Sequence, residues 1–291
     1  MTPRSVVSFY VSAHPDDWQM FRGEMAWEDL STLGTRTVFI YLTAGDAGRT
    51  DGWWEAREAA ALESVRGSIP PTPLRTGVFH ATGGQSVVRH ETGRAVSYCL
   101  RLPEGNLDGC GFPAFREQSL TRLRKGEIGT IAAVDQSARY RSWAELTQAV
   151  REIVEAESAR SCTRWPWVNA PDYDPLHSPG DHADHYAAGE MVRQIAWGRY
   201  SQAWWVGFDT RNRPENLDRL RARRKRTVLD LGRTTLVECS RRNGTPCPDA
   251  VVRQEVKLWG RRSYARTIDQ EVSHEVPERA EETPKVLATV G

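Results

Sequence analysis

The feature that most constrains this chain is a strand-then-helix order repeated twice at its N-terminal end. Val6-Val7-Ser8-Phe9-Tyr10-Val11 is short, β-branched and aromatic, which suits a buried strand. It runs directly into Ser12-Ala13-His14-Pro15-Asp16-Asp17. Phe21 to Leu33 then reads as a helix, with Gly34 placed as its stop. Thr37 to Leu42 is a second strand ending in Thr43-Ala44-Gly45-Asp46-Ala47-Gly48, and Trp53 to Val65 is a second helix, stopped by Gly67 and Pro70-Pro71. This order argues for a parallel sheet wound in the right-handed sense.

The middle of the chain is less regular. Gly77 to His80 and Val96 to Leu102 look like strands, and Pro103 to Pro113 is a Gly-rich loop. Trp143 to Glu157 reads as a helix with apolar positions at Leu146, Val150, Ile153 and Val154. A further strand–helix unit follows: a strand around Trp165 to Val168, a polar loop holding His177 to Asp184, and a helix from about His185 to Trp197. Ala203 to Phe208 reads as a strand and Asn216 to Asp230 as a basic helix. With 291 residues and 39% hydrophobic content the chain can fill one large core. The expectation is one α/β domain over residues 1–270, a Rossmann-like parallel sheet flanked by helices. Residues 85–140 are either a lid or substrate rim or plain surface elaboration, and the acidic, Pro-containing stretch 271–291 reads as a disordered tail.

Composition excludes several classes. A formal net charge of +1 gives no global field for nucleic acid or an acidic membrane. The basic residues are almost all arginine, lysine standing only at Lys125, Lys225, Lys257 and Lys285, which reads first as codon bias. Arg219 to Arg226 is a dense basic run, so a nucleic-acid-binding helix is a competing hypothesis against a solvated helix face. The five cysteines, Cys99, Cys110, Cys162, Cys239 and Cys247, are odd in number and form no C-x-x-C pair, which argues against a disulfide framework or a cysteine zinc site. No apolar run approaches a membrane span, and Met1 to Tyr10 lacks the pattern of a signal peptide, so a cytoplasmic location is expected. No feature specifies an oligomer.

Two clusters carry chemistry. Ligands of open α/β sheets bind beyond the carboxyl ends of the strands. His14-Pro15-Asp16-Asp17 falls there after the first strand, and His182-Ala183-Asp184-His185 opens a helix after a later one. Taken singly, the first could be ordinary turn chemistry and the second helix capping. Together, two histidines and a carboxylate from separate loops make a three-ligand metal site with a fourth position left for water, as in catalytic zinc. The same ligand set also suits iron(II).

Ala13-His14-Pro15-Asp16-Asp17 resembles the A-H-P-D-D signature of the PIG-L/LmbE-like zinc de-N-acetylases, and His182-Ala183-Asp184-His185-Tyr186-Ala187-Ala188-Gly189 resembles that family's second motif. Weaker matches are Thr43 to Gly48, the helix with Arg57-Glu58, and Leu102-Pro103-Glu104-Gly105, the whole covering roughly residues 6 to 210. The resemblance implies zinc held by His14, Asp17 and His185. It implies Asp16 as general base to the water bound at the metal, His182 as stabiliser or acid for the oxyanion, and Asp184 as a partner that orients a histidine. The implied reaction is removal of an N-acetyl or N-acyl group from an amino-sugar, with an N-acetylglucosaminyl part of a natural product as the leading substrate. An amidase acting on a thiol-sugar conjugate is the alternative.

The chain departs from the family where Trp18 follows the Asp-Asp pair in place of Glu, which suggests an aromatic wall at the cleft. Asp46 and Arg57 are candidate contacts to the substrate, a structural salt bridge being the other reading of Arg57. Trp53-Trp54 either stacks a sugar or packs in the core. His177 is close enough in sequence to reach the site, whereas His80, His90 and His274 have no partner motif.

Overall fold

The computed structural model describes residues 6–160, 166–245, 247 and 257–269. Cys162, Trp165, His274 and the expected tail 271–291 lie outside the described residues. In chain order the first half contains β1 (Val6–Ser12), α1 (Asp17–Ser31), β2 (Thr35–Thr43), α2 (Trp53–Arg66), β3 (Leu74–His80), β4 (Ser86–Thr92), β5 (Ala95–Leu102) and α3 (Leu120–Lys125). The second half contains β6 (Ile131–Ala132), β7 (Arg139–Tyr140), α4 (Trp143–Ser158), β8 (Trp167–Pro171), α5 (Ala183–Ala196), β9 (Ser201–Trp205), α6 (Arg219–Arg242) and β10 (Ala265–Ile268).

Eight strands form one sheet in the order β10-β9-β8-β1-β2-β5-β4-β3, while β6 and β7 pair as a separate ribbon. The β9-β8-β1-β2-β5 pairings are all parallel, with β10 antiparallel on β9 at one side and the β5-β4-β3 antiparallel steps at the other. The fold is therefore α/β with a mostly parallel sheet flanked by helices, as the strand–helix order predicts.

Alternation along the strands explains both layers. Val7, Phe9 and Val11 of β1 and Val38, Ile40 and Leu42 of β2 pack on one face with α4 and α5, through Val150, Ile153, Met191 and Val192. Tyr10, Phe39 and Tyr41 project to the other face, where Phe21 of α1, Val65 of α2 and Val228 of α6 cover them. The chain leaves β1 toward β2 on one side and returns to β8 on the other. That reversal opens a crevice at the carboxyl ends of β1 and β8, where open α/β sheets hold ligands.

Several boundaries differ from the sequence reading. Strand β9 ends at Trp205, so that Phe208, expected in the strand, opens a 3-10 turn. Helix α1 begins at Asp17, four residues before Phe21, so it absorbs the second half of the first motif. Strands β4 and β5 occupy 86–102 in the main sheet, which corrects the expectation of one insertion over 85–140; what stands outside the sheet begins at Pro103. Helix α6 continues past Asp230 to Arg242 through Gly232, where an added Cβ would sit 2.6 Å from Gln19 Oε1 and 2.7 Å from Ser64 Oγ. The glycine lets α6 approach α1 and α2 closely, so it is a packing residue and not a stop. Within the basic run, Arg219, Arg221, Arg223 and Arg226 are exposed, Arg224 lies 3.6 Å from Glu28, and Lys225 is fully buried. No helix among the described residues is long and apolar enough to cross a membrane.

Candidate metal centre

The loop after β1 is pinned before it delivers its side chains. Thr43, at the end of β2, donates both its backbone N–H and its hydroxyl to the carbonyl of Ala13, each at 2.8 Å. Asp17 then opens α1, and one of its oxygens, Oδ2, accepts from the backbone N–H of His14 at 2.8 Å. The other oxygen, Oδ1, lies 3.3 Å from His14 Nδ1 and 3.2 Å from His185 Nε2, and these two nitrogens are 3.3 Å apart. All three side chains are buried.

This triangle tests whether a metal fits. Bonds of about 2.0–2.1 Å at tetrahedral angles separate ligand atoms by about 3.3 Å. The tautomers point the same way. Asp181 accepts from His185 Nδ1 at 2.7 Å, which places the ring proton there and leaves a lone pair on Nε2. His14 Nε2 lies 3.4 Å from Asp184 Oδ2, leaving His14 Nδ1 to the triangle. Two lone pairs and a carboxylate oxygen within 3.3 Å, away from water, repel each other unless a cation sits among them. The field has that sign. Burial works against a charge on His185, yet Asp181 and Asp17 outweigh it and raise the imidazole to about 10. Burial likewise opposes a charge on His14, but Asp17 lifts it well above the usual imidazole range. Burial would raise Asp17, whereas His185 and His14 hold it well below the usual carboxylate range. His14, His182 and Asp184 form a second, overlapping cluster, but it leaves the Asp17 and His185 lone pairs uncompensated.

His182 is the N-cap of α5, and its Nδ1 accepts from the backbone N–H of Asp184 at 3.1 Å. The ring proton therefore sits on Nε2, 3.7 Å from Glu104 Oε1. Burial and the nearby His14 lower the basicity of His182 and keep the ring neutral. Asp184 is buried and accepts from Gly105 N at 2.7 Å, so it ties the 103–111 loop to His14.

Asp16 lies beside the triangle, bound by Arg57, whose Nη1 also donates 2.8 Å to the Gly45 carbonyl and reaches Glu104 at 3.5 Å. Burial would raise Glu104, but His182, His14 and Arg57 bring it down to about 2. These groups line one cavity of about 400 Å³, together with Asn106, Arg211 and an apolar side of Met20, Leu107, Phe208, Leu258 and Trp259.

Of the residues singled out in the sequence, His14, Asp16, Asp17, Arg57 and His182 line this cavity, with His185 and Asp184 directly behind it. Three expected substrate contacts do not. Trp18 is the second residue of α1, turned away from Asp17 onto the sheet; it is fully buried against Phe39 and donates to Tyr41 Oη at 3.1 Å. Asp46 is fully buried and accepts from the backbone N–H of Glu104 at 2.7 Å and of Gly48 at 3.0 Å, so it sets the Glu104 loop. Trp53 is largely buried beneath the Arg49 guanidinium at 4.6 Å. His177 is exposed beside Asp174. Asp181, Phe208, Arg211 and Trp259 are additions that sequence reading missed. Only Asp181 had a signal, its i, i+4 spacing to His185 across the start of α5.

No protein-family model matches this chain, and no curated protein does. Among solved structures the chain is similar to N,N'-diacetylchitobiose deacetylase from Pyrococcus horikoshii, at 14% identity over 94% of this chain and 87% of that one, TM-score 0.45. It is similar to the zinc-inhibited form of teicoplanin deacetylase Orf2, at 10% identity over 90% and 97% of the two chains, TM-score 0.46. It is also similar to GalB, the 4-carboxy-2-hydroxymuconate hydratase of Pseudomonas putida KT2440, at 12% identity over 98% and 100%, TM-score 0.43.

Proposed function

We propose that this chain is a zinc-dependent N-deacetylase that hydrolyses an N-acetyl or N-acyl amide on an amino-sugar. The observation that carries the reading is the triangle of His14 Nδ1, Asp17 Oδ1 and His185 Nε2, with sides of 3.2–3.3 Å, next to the carboxylate of Asp16. These three atoms would hold the zinc. When bound, zinc is a Lewis acid that acidifies water and polarises an amide carbonyl.

The chain's own groups supply the rest. Asp16 accepts the proton of the attacking water, and Arg57 holds its carboxylate in place without filling the cavity. The Nε2–H of His182 donates to the oxygen of the tetrahedral intermediate, a contribution of roughly 2.7–4 kcal/mol for one preorganised donor. Glu104, ionised beside His182, keeps that proton on Nε2. The leaving amine must be protonated before it departs, and Asp16, having taken a proton, returns it. We assign the whole of 1–270 to this single catalytic domain, with the 103–111 loop, through Glu104, Asn106 and Leu107, at the rim of its cavity.

An acyl series on glucosamine, from N-acetyl through N-propionyl to N-hexanoyl, tests the reaction class by the primary amine released. Release from the acetyl compound supports the reading. Absence of amine from every member, in protein loaded with zinc, would contradict it.

A further inference from the structure

Arg211 sits on the short 3-10 turn Phe208–Asn212 that follows β9, and it lines the same cavity as the metal triangle. The turn is anchored on both sides. Phe208 N donates to Asp181 Oδ1 at 3.1 Å, and Thr210 Oγ1 donates to the Val206 carbonyl at 2.8 Å. The nearest acid on the turn is taken: Asp209 accepts from Asn212 at 3.1 Å and from Arg213 at 2.8 Å. The other arginine of the cavity, Arg57, is bound to Asp16 and Glu104. Among the described residues no carboxylate pairs with Arg211, so the cavity presents one guanidinium whose donors have no acceptor. Beside it the apolar side includes Leu107, 65% exposed, with Phe208 and Trp259 stacked at 6.3 Å behind.

We infer that Arg211 and this apolar side form a subsite for an anionic, apolar-bodied group, a carboxylate or phosphate carried on the aglycone of the amino-sugar. A planar guanidinium recognises either group with paired hydrogen bonds. The side chains beside it desolvate an aryl or alkyl body. The inference rests on the deacetylase reading for which part of the substrate lies there.

The test compares N-acetylglucosaminides of one aryl aglycone carrying hydrogen, carboxylate, phosphate or trimethylammonium. Acetate release gives kcat/KM, and calorimetry with the corresponding glucosaminides, the amine products, gives Kd without turnover. The carboxylate or the phosphate compound is expected to exceed the unsubstituted one by about tenfold or more in both measurements. Which of the two leads identifies the anion. In Arg211→Ala the advantage of the anionic compounds over the unsubstituted one should vanish, and in Arg211→Glu the trimethylammonium compound should lead. Equal values for neutral and anionic compounds, or an advantage that survives in Arg211→Ala, would overturn the subsite and leave the deacetylase standing. Anion-selective binding without acetate release from any compound would keep the subsite and overturn the deacetylase. Neither binding nor release would overturn both.

Discussion

His14 Nδ1 and His185 Nε2 approach to 3.3 Å although they lie 171 residues apart in the chain. Each is presented by its partner, Asp184 beyond His14 and Asp181 beyond His185. Removing either imidazole leaves two ligands, which is too few to retain zinc against a chelator. His14→Ala and His185→Ala are each expected to purify with little zinc, as read by elemental analysis, while circular dichroism stays native. Full zinc in both variants would mean that the ion lies elsewhere.

Asp181 is a hub: its oxygens accept from His185 Nδ1, His182 N, Ser178 Oγ and Phe208 N at 2.7–3.1 Å. An added Cβ at Gly207 would sit 2.1 Å from Asp181 Oδ2. Asp181→Asn and Gly207→Ala should therefore both weaken zinc binding, by about 10–100-fold in chelator competition, through a loosened His185. Unchanged affinity in both variants would deny that this carboxylate positions the ligand.

Asp16 and its holder Arg57 separate the proton-transfer role from metal binding. Asp16→Asn is expected to keep zinc and to lose about 10²–10⁴ in kcat, the usual range for a positioned base. Arg57→Leu should act through Asp16, lowering kcat while zinc content holds. An Asp16→Asn protein that lost zinc and recovered activity on reloading would remove Asp16 from the base role.

A stability prediction concerns Glu157 at the end of α4, buried and accepting from Arg36 at 2.6 Å and Tyr98 at 2.7 Å. Burial would raise its carboxyl, but Arg36 and Tyr98 hold it below the usual value of 4.5. Because the folded value is the lower one, the contribution is complete above pH 4.5 and is lost as pH falls through the folded pKa. Glu157→Gln is expected to cost about 3 kcal/mol at pH 7, the low end for breaking a buried pair, because Arg36 keeps Glu91 at 3.1 Å. Urea unfolding at pH 7 and pH 3 checks it: the gap between the two proteins should be smaller at the lower pH.

The legible part of this molecule is the part where local pattern and chemistry coincide. The apolar runs of β1 and β2 and the turns after them fix a parallel sheet, and the two histidine motifs fall at its open end. Strand β4 was not legible because Arg89, His90 and Glu91 interrupt its apolar pattern; they belong to an ionic layer with Arg36, Glu58 and Glu157. Trp18 was misplaced because α1 starts at Asp17, and one residue along a helix turns a side chain by about 100°. The outer wall was hidden for a different reason. Phe208, Arg211 and Trp259 come from short segments after β9 and α6, and only tertiary packing brings them to His182, as in the 6.3 Å contact of the Phe208 and His182 rings.

The central claim is that the His14–Asp17–His185 triangle holds a zinc on which amide hydrolysis depends. Zinc content and acetate release should be measured together on one preparation, before and after chelation and again after zinc is restored. The account predicts about one zinc per chain, acetate release that disappears with the chelator, and recovery on reloading. A protein that takes up no zinc, or that releases acetate equally well without it, would contradict the claim.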